Sequence, residues 1–196
     1  EIIASLEIIF SQVQPKTVVI NGDLKHEFGT ILRQEREEII QLLRYLLRKN
    51  REVNKEIEEV IIVQGNHDPL IGLLLDPYVK PLLEKEQIKV VKELFLGKTL
   101  ITHGDILPNT KKKKDAEKTT KDIIQKENIF KVNLAKIKTI IIGHIHPAIT
   151  LREGSKREKY KCFLAGKWKG KELIIMPSFN PLVEGWPVWW LPERLP

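Results

Sequence analysis

The sequence predicts an α/β protein built around a sheet that is largely parallel at its centre. Three observations carry that expectation. Short β-branched runs recur along the chain and end abruptly in glycine and polar residues. Helical apolar stripes lie between them. Four of the runs deliver Asp, Asn or His to one kind of sheet edge, the carboxyl end, where open α/β sheets bind ligands.

Taken in order, Glu1 to Val13 places Ile2, Leu6, Ile9, Phe10 and Val13 on one helical stripe. Thr17-Val18-Val19-Ile20 then reads as a buried strand before Asn21-Gly22-Asp23. Glu35 to Arg48 forms a second helix through Ile39, Leu42, Leu43, Leu46 and Leu47. Val60 to Val63 is a strand before Gln64-Gly65-Asn66-His67-Asp68, and Pro77 to Glu86 a shorter helix. Thr99 to Thr102 precedes His103-Gly104-Asp105; a polar helix is expected over Ala116 to Lys126. Thr139 to Ile142 precedes Gly143-His144-Ile145-His146.

After Pro147 the texture changes. Ile149 to Arg152, Tyr160 to Leu164 and Leu173 to Met176, separated by glycine-containing turns, read as antiparallel strands. Pro177, Pro181 and Pro187 then break up the tail. No internal repeat or linker divides the chain, so residues 1–196 are expected to form one domain. A helix leading into a buried strand normally follows a strand of its own, so the first β-strand is expected to be missing. The only methionine is Met176, so residue 1 is expected not to be a translation start.

The formal net charge of +7 favours anionic partners such as nucleic acid or phosphorylated metabolites. No apolar run approaches the roughly 20 residues that cross a bilayer, so no membrane partner is expected. A single cysteine, Cys162, rules out an internal disulfide and suits a reducing interior, the cytoplasm.

The chemistry gathers on the histidines. His26, His67, His103, His144 and His146 are all five of them, and four directly follow strand-like runs. Asp and Asn oxygens mixed with imidazoles suit Mn, Fe or Zn. Two such ions bridged by a carboxylate activate water and hold both oxygens of an in-line phosphoryl displacement. Three plain core histidines near one sheet edge would each need a buried polar partner, and a metal is the simplest shared one.

Gly22-Asp23, Gly65-Asn66-His67-Asp68, His103-Gly104 and Gly143-His144-Ile145-His146 resemble, in order, the later motifs of calcineurin-like metallophosphoesterases. More narrowly, Gly22 to Phe28, His146 to Ile149 and Pro177 to Leu182 resemble an archaeal and bacterial branch of predicted phosphoesterases. Some of its members are similar to DNA-repair nucleases. The resemblance implies an α/β sandwich of two mixed β-sheets flanked by helices. It implies hydrolysis of phosphate esters by metal-activated water, with phosphodiesters of nucleic acid or nucleotide type ahead of monoesters. Asp23 would bridge both metals, Asn66, His103 and His144 would complete the second metal site, and His146 would bind the first. His67 would face the phosphate and stabilise the transition state or protonate the leaving oxygen, with Asp68 orienting it. Manganese is the expected cofactor, with Fe, Zn and Ni as alternatives.

One departure stands out. The family begins with Asp-x-His, and no Asp-x-His occurs in this chain. One well-held ion is therefore expected here, against two in the family site, and a silent metal- or nucleic-acid-binding domain is the alternative. Lys25 and His26 read either as a solvated helix entry or as phosphate contacts. Asp105 reads as a support for the ligands or as a turn residue. Lys111 to Lys114 is a solvated loop or a guide for a nucleic-acid backbone. Trp186, Trp189 and Trp190 stack bases, cover a core edge or form the contact of a homodimer.

Overall fold

The computed structural model describes residues 1–24, 33–47, 57–68, 71, 87–106 and 136–188. The expected helices over Pro77 to Glu86 and Ala116 to Lys126 lie outside the described residues. So do Lys25, His26, Lys111 to Lys114, Trp189 and Trp190.

The first half builds a parallel sheet. Helix α1 (Ile2–Val13) leads into β1 (Thr17–Asn21), and α2 (Arg33–Leu47) precedes β2 (Glu59–Val63) and β3 (Ile88–Val91). The strand order is β1-β2-β3, with Val18 opposite Val60 and Val60 opposite Ile88. Helix α2 sets Ile39, Ile40, Leu43 and Leu46 in one cluster with Val60 and Ile62. Ile61 and Val63, which alternate with them, are buried too. Burial on both faces is why β2 reads as an unbroken apolar run.

The second half builds a mixed sheet. Strands β4 (Glu93–Leu96), β5 (Thr99–Thr102) and β6 (Thr139–Ile142) are followed by the hairpin of β7 (Pro147–Glu153) and β8 (Lys156–Lys161). Then come β9 (Leu164–Trp168), β10 (Lys171–Ile175) and the short β11 (Trp186–Pro187). The order β4-β5-β6-β10-β9 keeps β5, β6 and β10 parallel, with antiparallel edges. A small third sheet runs β11-β7-β8. Leu100, Ile140, Ile142, Leu173 and Ile175 form this half's own core. The mixed α/β architecture of several sheets with helices is consistent with the expected sandwich, though the β1-β2-β3 sheet is parallel rather than mixed.

The structure corrects three local expectations. Strands β3 and β4 were not foreseen: they are separated by Lys92 alone, where the chain leaves one sheet for the other. The run Tyr160 to Leu164 is not one strand. Cys162 N donates to Pro147 O at 3.0 Å and ends the pairing with β7, and Leu164 then pairs with Ile175 in a different sheet. Strand β10, expected in an antiparallel set, pairs antiparallel with β9 but parallel with β6. Helix α1 uses less of its stripe than its period suggests: Leu6 and Phe10 pack on the core, while Ile9 and Val13 are exposed. Among the described residues, no helix is long and apolar enough to cross a membrane.

Leu43 has no exposed surface, whereas Ile8 on α1 is 64% exposed. We predict that Leu43→Ala lowers unfolding free energy in urea by about 2.7–5 kcal/mol. Ile8→Ala should stay within about 0.5 kcal/mol. Equal effects would contradict the assignment of the core.

Candidate metal centre

The carboxyl ends of β1 and β2 meet those of β5 and β6 across the seam between the two large sheets. The meeting is unusually close because glycine stands at two points. A Cβ on Gly22 would lie 2.1 Å from His103 Nδ1, and one on Gly65 would lie 2.3 Å from Asp23 Oδ1. Gly22 also has φ +80, which side chains rarely adopt. Asp23 follows it at φ 50, and His146 stands at φ 49. Left-handed backbone at a non-glycine residue costs on the order of 1–3 kcal/mol and persists only where its surroundings fix it.

Asp23 uses both carboxylate oxygens. Oδ1 accepts from the His67 amide at 3.1 Å, and Oδ2 lies 3.1 Å from His103 Nε2. Behind it, Asp68 is fully buried and its Oδ2 accepts from Leu24 N and Gly65 N, each at 3.2 Å. One carboxylate thus ties the loop that carries Asp23 to the loop that carries Asn66.

His103 is the centre of the group and is 1% exposed. Its Nδ1 lies 3.1 Å from the carbonyl oxygen of Asn21. A carbonyl only accepts, so the ring proton sits on Nδ1 and Nε2 carries a lone pair in the neutral ring. Around that lone pair stand Asp23 Oδ2 at 3.1 Å, Asn66 Oδ1 at 3.0 Å and His144 Nδ1 at 3.1 Å. Ligand atoms of Asp23, His103 and His144 all fall within 4.8 Å of one another. The two oxygens and the Nε2 lone pair repel one another unless a proton or a metal cation lies among them. The donors, one carboxylate, one amide oxygen and two imidazoles, suit a divalent transition metal.

The charge balance agrees. Burial opposes ionisation of Asp23, but hydrogen bonds from His103 and the His67 amide outweigh it and hold its carboxyl below the usual range. Burial likewise opposes a charged His103, yet Asp23 and the Asn21 carbonyl raise it above an ordinary histidine. Burial depresses His144, and the neighbouring His103 depresses it further. The charge of Asp105 opposes that depression and also raises His103. His146 is depressed chiefly by burial, and its Nδ1 is buried with no hydrogen-bond partner. That orphaned nitrogen, next to a candidate centre, has the lone pair of a further ligand.

The residues singled out from the sequence therefore separate clearly. Asp23, Asn66, His103 and His144 come together; His146 stands beside that group rather than within it. His67 is held through its amide to Asp23, and Asp68 lies beneath. Lys25 and His26 lie outside the described residues. Sequence reasoning missed Asn21, whose backbone carbonyl sets the tautomer of His103, because a carbonyl leaves no mark on residue type. A family model described as calcineurin-like phosphoesterase matches residues 1–167. No curated protein and no solved structure matches the chain.

A proton on His103 competes with a metal for Nε2. Because its pKa is raised above 6.5 while those of His144 and His146 are lowered, only one ligand proton competes near neutrality. Mn²⁺ affinity, titrated between pH 8 and 6, should fall with a limiting slope of about tenfold per pH unit. A slope of two or three protons, or none, would contradict this ordering.

Proposed function

The chain belongs to the calcineurin-like phosphoesterase family, and on that premise we propose that it hydrolyses phosphodiesters of nucleic acid or nucleotide type. Membership itself implies a metal-dependent hydrolase of phosphate esters. The observation that carries the reading is the three ligand atoms gathered around His103 Nε2, with His67 anchored at their edge. The preference for diesters rests on the basic charge and on the motifs Gly22 to Phe28 and Pro177 to Leu182. We read residues 1–196 as one such domain.

Asp23, Asn66, His103 and His144 would hold one divalent ion, manganese in the first instance, and His146 with Asp23 would serve another. Bound ions supply an activated water and offset negative charge developing on the phosphoryl oxygens. The chain's own residues do the rest. Asp23 stays ionised over the working range because its carboxyl is held low. Asn21 keeps the His103 proton on Nδ1, away from the centre. Asp68 fixes the two loops, so that Asn66 and His67 keep their places when substrate arrives. His67 is the general acid: its ring donates a proton to the leaving oxygen, or a hydrogen bond to the phosphate, as the ester bond breaks.

The test is hydrolysis of bis-p-nitrophenyl phosphate with added Mn²⁺, beside p-nitrophenyl phosphate and beside His67→Ala. The diester should be the faster substrate, and His67→Ala should lose about 10²–10⁴ of the rate. Faster turnover of the monoester would make the chain a phosphomonoesterase. Equal rates in both proteins would remove His67 from the chemistry, and a wild-type chain that binds Mn²⁺ without turnover would be a silent metal-binding domain.

A further inference from the structure

Lys161 closes β8 and stands opposite Ala148 in register, one residue beyond the Pro147 that follows His146. The neighbouring Cys162 amide donates to the carbonyl of Pro147 itself. On the other side of β7, Trp186 N donates to His146 O at 2.7 Å. The His146 end of β7 is thus flanked by Lys161 on one strand and by β11 on the other.

A loop after β10 completes the surround. Met176 N donates to Ile142 O at 2.8 Å, so the segment Pro177 to Leu182 leaves the sheet beside Gly143 and His144. Ser178 Oγ accepts from Asn180 N, and Asn180 Oδ1 accepts from Leu182 N, which folds the segment on itself. The Asn180 carbonyl accepts from Val183 N at 3.2 Å and also from Lys161 Nζ. The tail segment Pro177 to Leu182 therefore aims a lysine.

The ammonium has three donors, and the Asn180 carbonyl takes one. Among the described residues no carboxylate pairs with it; Glu1 acts on it only at longer range. Burial holds its pKa below the ordinary lysine value. In register Lys161 faces Ala148, two residues after His146, and its Nζ reaches the Asn180 carbonyl of the segment that leaves β10 beside His144. A half-buried cation beside residues suited to hold metal cations is unfavourable unless an anion joins them.

We propose that Lys161 is a substrate-binding residue that takes a non-bridging phosphate oxygen of the ester on the His146 side of the centre. The inference rests on the reading of the centre as a phosphoesterase site. A direction fixed by Asn180, and an ammonium that has no carboxylate partner among the described residues, are what such a contact requires.

The test uses the Mn²⁺-loaded chain and inorganic phosphate as the probe, by calorimetric titration. Lys161→Met should weaken phosphate binding about tenfold, Lys161→Arg by less than about threefold, and neither should change Mn²⁺ affinity by more than about twofold. Unchanged phosphate affinity in Lys161→Met overturns the inference. So does a parallel loss of Mn²⁺ affinity, or failure of Lys161→Arg to restore binding, since both would mark a structural tie. A wild-type chain that binds Mn²⁺ but no phosphate overturns it as well. A chain that binds phosphate through Lys161 yet does not hydrolyse the diester would instead refute the enzymatic reading and leave this contact standing.

Discussion

Nε2 of His103 meets a carboxylate oxygen, an amide oxygen and a second imidazole nitrogen, all at 3.0–3.1 Å. The Asn21 carbonyl holds the ring proton on the opposite nitrogen, so Nε2 of the neutral ring meets these atoms with a lone pair. A proton or a metal cation relieves that crowding: burial opposes both charged forms, yet Asp23 and His103 stabilise each other, which holds Asp23 below and His103 above their ordinary values. The requirement reaches beyond the site. Asp23 and Asn66 belong to the ends of the parallel sheet, His103 and His144 to the ends of the mixed one. A cation held at the seam would therefore also join the two halves of the fold.

The fold makes that seam by ordinary means. Parallel strands place their carboxyl ends at one edge, and β1, β2, β5 and β6 each end within two residues of a glycine. Lys92 passes the chain from one sheet to the other, which sets β4 and β5 beside the ends of β1 and β2 without a long connection. Gly22 and Gly65 then give up their side chains so that His103 and Asp23 can approach. The left-handed residues Asp23 and His146 both lie at the seam, the first held by the His67 amide and the second by backbone hydrogen bonds with Gly143 and Trp186.

Much of this was legible in the residues. Strands β2, β5 and β6 declared themselves because burial leaves continuous β-branched runs, whereas β1, read as buried in the same way, is an edge strand among the described residues with none of its residues buried; Asp23, Asn66, His103 and His144 followed from their places at the strand ends. Strands β3 and β4 were hidden: charged residues punctuate Ile88 to Leu96, and an edge strand needs only one apolar face. The parallel pairing of β10 with β6 is a long-range fact with no local signal. The tautomer of His103 depends on a backbone carbonyl, and the bond from Lys161 to Asn180 joins residues that only the folded chain brings together.

Thermal unfolding of the chain against increasing Mn²⁺, with His144→Ala alongside, bears most directly on the claim that the seam is built around a cation. The wild-type melting temperature should rise with the logarithm of Mn²⁺, reaching about 2.7 kcal/mol of added stability at a hundred times Kd. His144→Ala should lose most of that rise. A wild-type melting temperature indifferent to Mn²⁺, or an equal rise in the variant, would mean that His103 Nε2 and the three atoms around it do not hold a metal.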